Sequence, residues 1–389
     1  MKKPIQGKKV VEQVRSVKPD EATYVGMDTH KKSINVAMLI PGKAKVIAWT
    51  VANEPKALKR MVRKIEREAP GEVRCCYEAG PCGYALQRFI HAHSSITCEV
   101  IAPSLIPLKP GDRIKTDRRD AKKLAELLQA RLLTEVRPPT EEDEAIRDLC
   151  RCREVAQKDL TRARHRMAKL LLRRGLQYTE GKKDWTQMHK RWLRSLSFEH
   201  PADQMVFEDY FQAIEHAEER VRQLTDKMKK VAQKEPYKKI VGWLSCFRGF
   251  DTVTALSLVA ELHDFRRFQS AKELMSYLGL TPSEYSSGGR TKRGSITKAG
   301  NSHARRLLIE ASWHYRHKPA VGARLRVRRK GQPGDIIAIA DRAQKRLHKR
   351  FWRLTESRGK EKNKAIVAMA RELTGFIWAA LYPKEAQSA

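Results

Sequence analysis

A chain of 389 residues with 41% hydrophobic side chains is long enough for two or three domains with filled cores. It carries 79 Lys plus Arg against 45 acids, a formal charge of +34 spread along its length, and a field of that size calls for a polyanion, with nucleic acid the economical partner. The seven cysteines show no C-x-x-C pair, which excludes a zinc-finger or disulfide framework, and the absence of a signal-type apolar segment or an uninterrupted spanning run predicts a cytoplasmic protein with no membrane partner.

Residues 1–22 read as a flexible basic arm. Thr23 to Asp28 reads as a buried strand, Ser33 to Ile40 as a second, and Val46 to Val51, after a Pro41-Gly42 turn, as a third. Glu54 to Glu68 is helical by the spacing of Leu58, Met61, Val62 and Ile65. A strand at Val73 to Tyr77, a helix from about Gly83 to His93, a strand at Thr97 to Ile101 and a helix from Arg118 to Leu132 follow. Three strands followed by alternating helices and strands is the order of a ribonuclease-H-like α/β domain, placed at 23–140.

Residues 141–235 hold two long amphipathic helices. Ile146, Leu149, Ala156, Leu160, Ala163, Met167 and Leu170 keep one 3-4 spacing, and Phe207 through Val231 another. That pattern fits a helical hairpin within the chain and a coiled-coil dimer arm equally. The segment 236–330 reads as a mainly helical domain opening on a hairpin-like Arg248-Gly249-Phe250-Asp251 turn. It continues through a polar loop, Ser286-Ser287-Gly288-Gly289, into a basic stretch: residues 286–330 contain 13 Lys or Arg and only Glu310 as acid. Such a surface suits contact with a phosphate backbone, through Arg290, Lys292, Arg293, Lys298, Arg305 and Arg306. The extension 331–389 carries two more helices, around Ile336 to Trp352 and Lys364 to Leu381. The fold class is therefore α/β plus all-α.

Four acids stand where these elements end or begin. Asp28 closes the first strand, Glu78 a later one, and Asp117 and Asp120 open the helix after Lys115-Thr116. Each alone has a plain alternative: a hairpin end, a surface acid, a helix cap. Together they would repel one another unless divalent metal neutralised them, and two Mg²⁺ ions roughly 4 Å apart (Mn²⁺ serving equally) would polarise a scissile phosphate.

Taken with a second set of motifs, these acids resemble the DEDD transposases of a bacterial insertion-sequence family, related to the pilin-gene invertases. The resemblance runs from about Tyr24 to His317. Its C-terminal part rests on Phe265-Arg266-Arg267-Phe268, Tyr277-Leu278-Gly279-Leu280-Thr281-Pro282, Ser286-Ser287-Gly288-Gly289 and Gly294-Ser295-Ile296-Thr297-Lys298-Ala299-Gly300-Asn301. One departure is Arg248-Gly249-Phe250-Asp251, where members read Pro-Gly-Ile-Gly. The resemblance implies a RuvC-like N-terminal domain holding metal through Asp28, Glu78, Asp117 and Asp120, and a C-terminal transposase domain whose serine attacks the phosphodiester. Ser287 is the matching serine and Ser286 the neighbouring alternative. It further implies donor and target DNA, a guide non-coding RNA, a homo-oligomer (dimer or tetramer) and a bacterial, nucleoid-associated setting. Two other readings of the residues stay open: a resolvase-type nuclease using water, and a nucleic-acid-binding protein that makes no cut.

Overall fold

The computed structural model describes residues 22–107, 116–181, 183–287 and 290–387, and of 286–287, 290–293 and 383–387 the backbone alone. The basic arm, apart from Ala22, and the double glycine lie outside the described residues. The chain divides into two compact units, residues 1–138 and 139–389.

The first unit is a five-stranded mixed sheet with helices on both faces. Its elements are β1 (Thr23–Thr29), β2 (Ser33–Leu39), β3 (Ile47–Ala52), α1 (Pro55–Glu68), β4 (Val73–Glu78), α2 (Ala85–His93), β5 (Thr97–Ile101) and α3 (Asp117–Gln129). The order across the sheet is β3-β2-β1-β4-β5, with β1, β2 and β3 antiparallel and β1, β4 and β5 parallel. Alternation along the strands feeds two cores. Val25, Met27, Val36, Met38, Cys75, Tyr77 and Val100 face α1 and α2, meeting Leu58, Met61, Val62, Ile65, Leu86 and Ile90. On the other face, Tyr24, Cys76 and Ile101 meet Leu124 and Leu128 of α3. The sequence places the end of α3 at Leu132, but the helix stops at Gln129. Arg131 there takes φ +56°, and the N–H of Leu132 returns to the carbonyl of Leu127 at 3.0 Å, a left-handed terminus.

The second unit begins with α4 (Glu141–Arg173), α5 (Gln187–Ser195) and α6 (Pro201–Val231). Thr140 caps α4 by accepting from the N–H of Asp143, and the acids Glu141 to Glu144 occupy the positive end of its dipole. Helices α4 and α6 lie antiparallel. Arg174 pairs with Asp203 at one end, Arg164 with Glu218 further along, and Arg153 bonds Thr225 nearer the other. Their apolar stripes close on each other through Leu160, Ala163, Met167, Leu170, Phe207 and Ile214, joined by Leu193 of α5. The 3-4 spacing is thus satisfied within one chain, and the link between the long helices contains a helix that the sequence did not announce.

The rest comprises α7 (Tyr237–Leu244), α8 (Thr252–Leu262), α9 (Ala271–Tyr277), β6 (Pro282–Ser287), β7 (Arg290–Ile296), α10 (Ser302–Ser312), α11 (Ala323–Arg329), α12 (Gly334–Trp352) and α13 (Lys362–Gln387). The C-terminal helices are no appendage. Ile336, Ala340, Leu347 and Phe351 of α12, with Ile366, Met369, Leu373, Ile377 and Leu381 of α13, are buried in the same core as Leu256, Phe265, Leu274 and Leu308. Among the described residues one helical stretch, Lys362–Tyr382, is long and apolar enough to cross a membrane, and half of its apolar window is buried in this core. The polar loop expected around Ser286 is instead flanked by two paired strands, β6 and β7, whose register brings Ser287 opposite Arg290.

Candidate active-site residues

Parallel pairing of β1 with β4 sets Met27 opposite Tyr77, so the next residues, Asp28 (one before the last of β1) and Glu78 (the last of β4), lie at the carboxyl ends of neighbouring strands. Both have the parity of Gly26 and Cys76, which face α3. At Gly26 a Cβ would stand 2.1 Å from the carbonyl oxygen of Ala121 and 2.5 Å from the nitrogen of Ala125, while the Cys76 thiol reaches the Leu124 carbonyl at 3.7 Å. The helix backbone rests directly on the strand there. Its first turn, carrying Asp117 and Asp120, therefore stands over the strand end that carries Asp28.

The carboxylates of Asp28 and Asp117 meet at His30, whose Nε2 lies 3.0 Å from Asp28 Oδ2 and 3.4 Å from Asp117 Oδ2. One donor atom from each of the three residues falls within 4.8 Å of the others. His30 is fixed just beyond β1 by its own N–H to the Ser33 carbonyl (2.9 Å) and by Asn53 Nδ2 donating to its carbonyl (3.0 Å). Partial burial holds the Asp28 carboxyl above the ordinary carboxylate range; His30 opposes that shift, and the charges of Asp117 and Asp120 add to it. Asp120 thus acts on Asp28 electrostatically without joining the three-residue cluster. Glu78 is exposed at the end of β4 and is likewise not one of the three. The sequence reading missed His30. The available signal was its position two residues after Asp28, which keeps it on the same side of an extended chain.

Two carboxylates and an imidazole at this spacing fit a divalent cation, whose ligands sit about 2.0–2.4 Å from the ion and so within a few ångströms of one another.

In the second unit the sequence motifs build the base of the serine hairpin. Gly279 (φ +60°) and Gly300 (φ +66°) sit where a Cβ would lie 2.3 Å from the Ala299 carbonyl oxygen and 1.9 Å from that of Tyr277, respectively. The N–H of Lys298 donates to the Gly279 carbonyl (3.1 Å) and that of Thr297 to the Thr281 carbonyl (2.9 Å). Asn301 caps α10, its Oδ1 accepting from the N–H groups of His303 and Ala304, and its Nδ2 donates to buried Glu261 at 2.8 Å. Burial works against the charge of Glu261. Hydrogen bonds from Arg151 and Asn301, with the Arg151 charge, nevertheless hold its carboxyl below the ordinary range. Ser286 and Ser287 end β6, paired with Thr291 and Arg290.

The basic residues expected to meet phosphate divide. Lys298 is exposed. Arg305 donates to the Leu278 and Ala299 carbonyls at 2.8 and 2.9 Å, and Arg306 binds Glu154 and Glu310, so both guanidinium groups brace the hairpin base and α10. Arg290, Lys292 and Arg293 lie on β7, where only the backbone is described. At the Arg248-Gly249-Phe250-Asp251 turn, a Cβ on Gly249 would meet the Ala311 carbonyl oxygen at 2.5 Å, and Asp251 closes the start of α8 by accepting from Thr254 N–H at 2.8 Å. That helix start is satisfied from within the chain.

Acids brought together at the carboxyl end of the central strand of a mixed sheet, inside so basic a chain, suit an enzyme that works on nucleic-acid phosphodiesters. Comparison with known proteins fixes which: residues 25–174 match the DEDD transposase domain of IS110, residues 243–326 match the transposase IS116/IS110/IS902 family, and the chain belongs to that family. It is 39% identical over 374 residues to the putative transposase y4qE of Sinorhizobium fredii, covering 94% of this chain and 90% of that protein. It is 36% identical over 341 residues to the transposase for insertion sequence element IS1533 of Leptospira borgpetersenii, covering 87% of this chain and 98% of the relative. A more distant relative is the transposase for insertion sequence element IS1111A of Coxiella burnetii, 26% identical over 273 residues, 70% of this chain and 68% of that one. The protein is a transposase, an enzyme acting on DNA, and its DEDD domain points to a divalent metal requirement.

Proposed function

We propose that this transposase cuts and rejoins DNA through a phosphoserine bond to Ser287, with Asp28, Glu78, Asp117 and Asp120 as the carboxylates of a metal site in a RuvC-like domain. The observation that carries the metal half of this reading is the meeting of Asp28, His30 and Asp117 at the carboxyl edge of the sheet. The 3-2-1-4-5 strand order supports the ribonuclease-H-like assignment. Asp28, Asp117 and His30 would hold the cation, Asp120 would add negative charge beside them, and Glu78, at the end of the neighbouring strand β4, is the fourth carboxylate of the proposal. A divalent ion, Mg²⁺ or Mn²⁺, supplies charge neutralisation at the scissile phosphate. The serine step forms a bond from Ser287 Oγ to phosphorus and breaks one from phosphorus to a deoxyribose oxygen, which leaves as a hydroxyl carrying the proton the serine gives up. A phosphodiester is exchanged for a phosphodiester, so rejoining needs no nucleotide cofactor. The proposal extends to donor and target DNA brought together by a guide non-coding RNA, read through pairing while the protein reads backbone, and to a homo-oligomeric assembly.

The test is a nicked or suicide DNA substrate, with the full-length protein and Mn²⁺ or Mg²⁺. A covalent protein–DNA adduct mapping to Ser287 is the expected result, lost in Ser287→Ala and in Asp117→Ala while DNA binding persists. An adduct on Ser286 moves the assignment by one residue. Free hydroxyl and phosphate ends with no adduct would assign the chemistry to a water-using nuclease, and no cleavage by the intact assembly would leave a binding protein.

A further inference from the structure

The first unit carries a basic cleft beside the acids that the reading above does not use. Helix α3 packs chiefly on β1 and β2, and the face of edge strand β3 on that side stays open, with Ala48 and Thr50 exposed. Between α3 and the β2–β3 turn lies a cleft of about 1020 Å³. Lys43 and Lys45 line it from the turn, and Arg118, Arg119 and Lys122 line it from the helix, over a floor that includes Ala48. No described acid lines it. Lys122 is 3.6 Å from Glu126, both half exposed, an i,i+4 surface pair that is weak in water. Five cations around one concavity make a locally positive field that favours a polyanion. Guanidinium groups fork onto phosphate oxygens, and ammonium groups follow as mobile point charges.

The placement adds a function. Arg118 and Arg119 lie between Asp117 and Asp120 in the first turn of α3. The cations and the acids share one end of α3 and point to different sides of it, so a strand held in the cleft would lie beside the helix end that carries the carboxylates, with the cations offsetting the repulsion between its phosphates and those acids. We propose that this cleft is a phosphodiester-binding track that leads a nucleic-acid strand past the carboxylate site. The proposal rests on the transposase reading for the identity of the polymer, but it concerns binding and stands or falls apart from the serine chemistry.

The experiment uses the full chain and measures the dissociation constant against salt for fluorescent duplex DNA, single-stranded DNA and a folded RNA. The test variant combines Lys43→Gln, Lys45→Gln, Arg119→Gln and Lys122→Gln. The control combines Lys56→Gln, Lys59→Gln, Arg60→Gln and Arg63→Gln on the exposed side of α1, across the sheet. Each phosphate contact contributes roughly 0.7–0.9 to the log–log salt slope, so the slope for the test variant should fall by about 2 or more and affinity at about 0.15 M salt by at least about fivefold. The control should bind like the parent. Loss confined to DNA identifies a DNA track and loss confined to RNA a guide track; either supports the site. Unchanged binding of all three polymers, or equal loss in test and control, overturns it. Should the fourfold variant lose its thermal transition, the two pairs Lys43→Gln/Lys45→Gln and Arg119→Gln/Lys122→Gln are compared with the control instead.

Discussion

A methyl group at position 26 would enter the backbone of α3, 2.1 Å from the Ala121 carbonyl oxygen. That collision explains why a glycine precedes Asp28 by two residues: it lets a helix carrying two acids lie on the strand carrying a third. Gly26→Ala must push α3 outward and pull Asp117 from Asp28 and His30. Overpacking of a tight contact costs about 3 kcal/mol. The expected outcome is a lower melting temperature and, more tellingly, loss of Mn²⁺ binding measured by titration calorimetry or by metal-induced thermal shift. Melting that still rises with Mn²⁺ as in the parent would mean that the acids do not depend on this contact. Asp28 and Asp117 were legible in the sequence because strand ends and helix starts can be read locally. His30 was not, since its role depends on the turn held by Ser33 and Asn53, which only the fold brings to it.

Elements with an apolar period were the readable ones. The strands of the first unit alternate, the long helices α4 and α6 repeat every three to four residues, and both patterns found partners within the chain. The hairpin of β6 and β7 has no such period: Ser-Glu-Tyr-Ser-Ser and Arg-Thr-Lys-Arg carry a single large apolar side chain, Tyr285, which is exposed, and their polarity reads as a loop. The stronger cue was the pair of glycines between two short runs, the composition of a two-residue hairpin turn. The final helices show the opposite failure, since their apolar content was visible and the surface they cover was not. Ile336, Leu347, Phe351, Met369 and Leu373 are each 2% exposed or less. Burying such side chains is worth about 1.5–3 kcal/mol apiece, so removing all five outweighs much of the roughly 5–15 kcal/mol stability of a domain. A chain ended after Lys330, though it retains every family motif, should be insoluble or lack a cooperative melt by circular dichroism. A soluble truncation with a sharp transition would refute the shared core.

At the scale of the molecule, the carboxylate cluster belongs to the unit spanning residues 1–138 and Ser287 to the unit spanning 139–389. The chemistry proposed above needs both at one phosphate, and two units of separate cores can meet either within a protomer or across an assembly. These cases differ in a mixing experiment. On that proposal Ser287→Ala would lack the nucleophile and keep its acids, and Asp117→Ala would keep the nucleophile and lack one carboxylate of the Asp28–His30–Asp117 cluster. If each active site draws its serine from one protomer and its acids from another, co-assembled subunits of the two variants form some sites with both intact. Strand transfer should then reappear in the mixture at a fraction of the parent's rate, with the phosphoserine adduct found only on the Asp117→Ala protein. Tagging the two proteins differently shows which carries the DNA. If both groups come from one chain, every site in the mixture lacks one of them, and no activity returns however the subunits are combined. Co-purification of the two tagged variants must accompany the assay, so that silence is read as a shared protomer and not as a failure to mix.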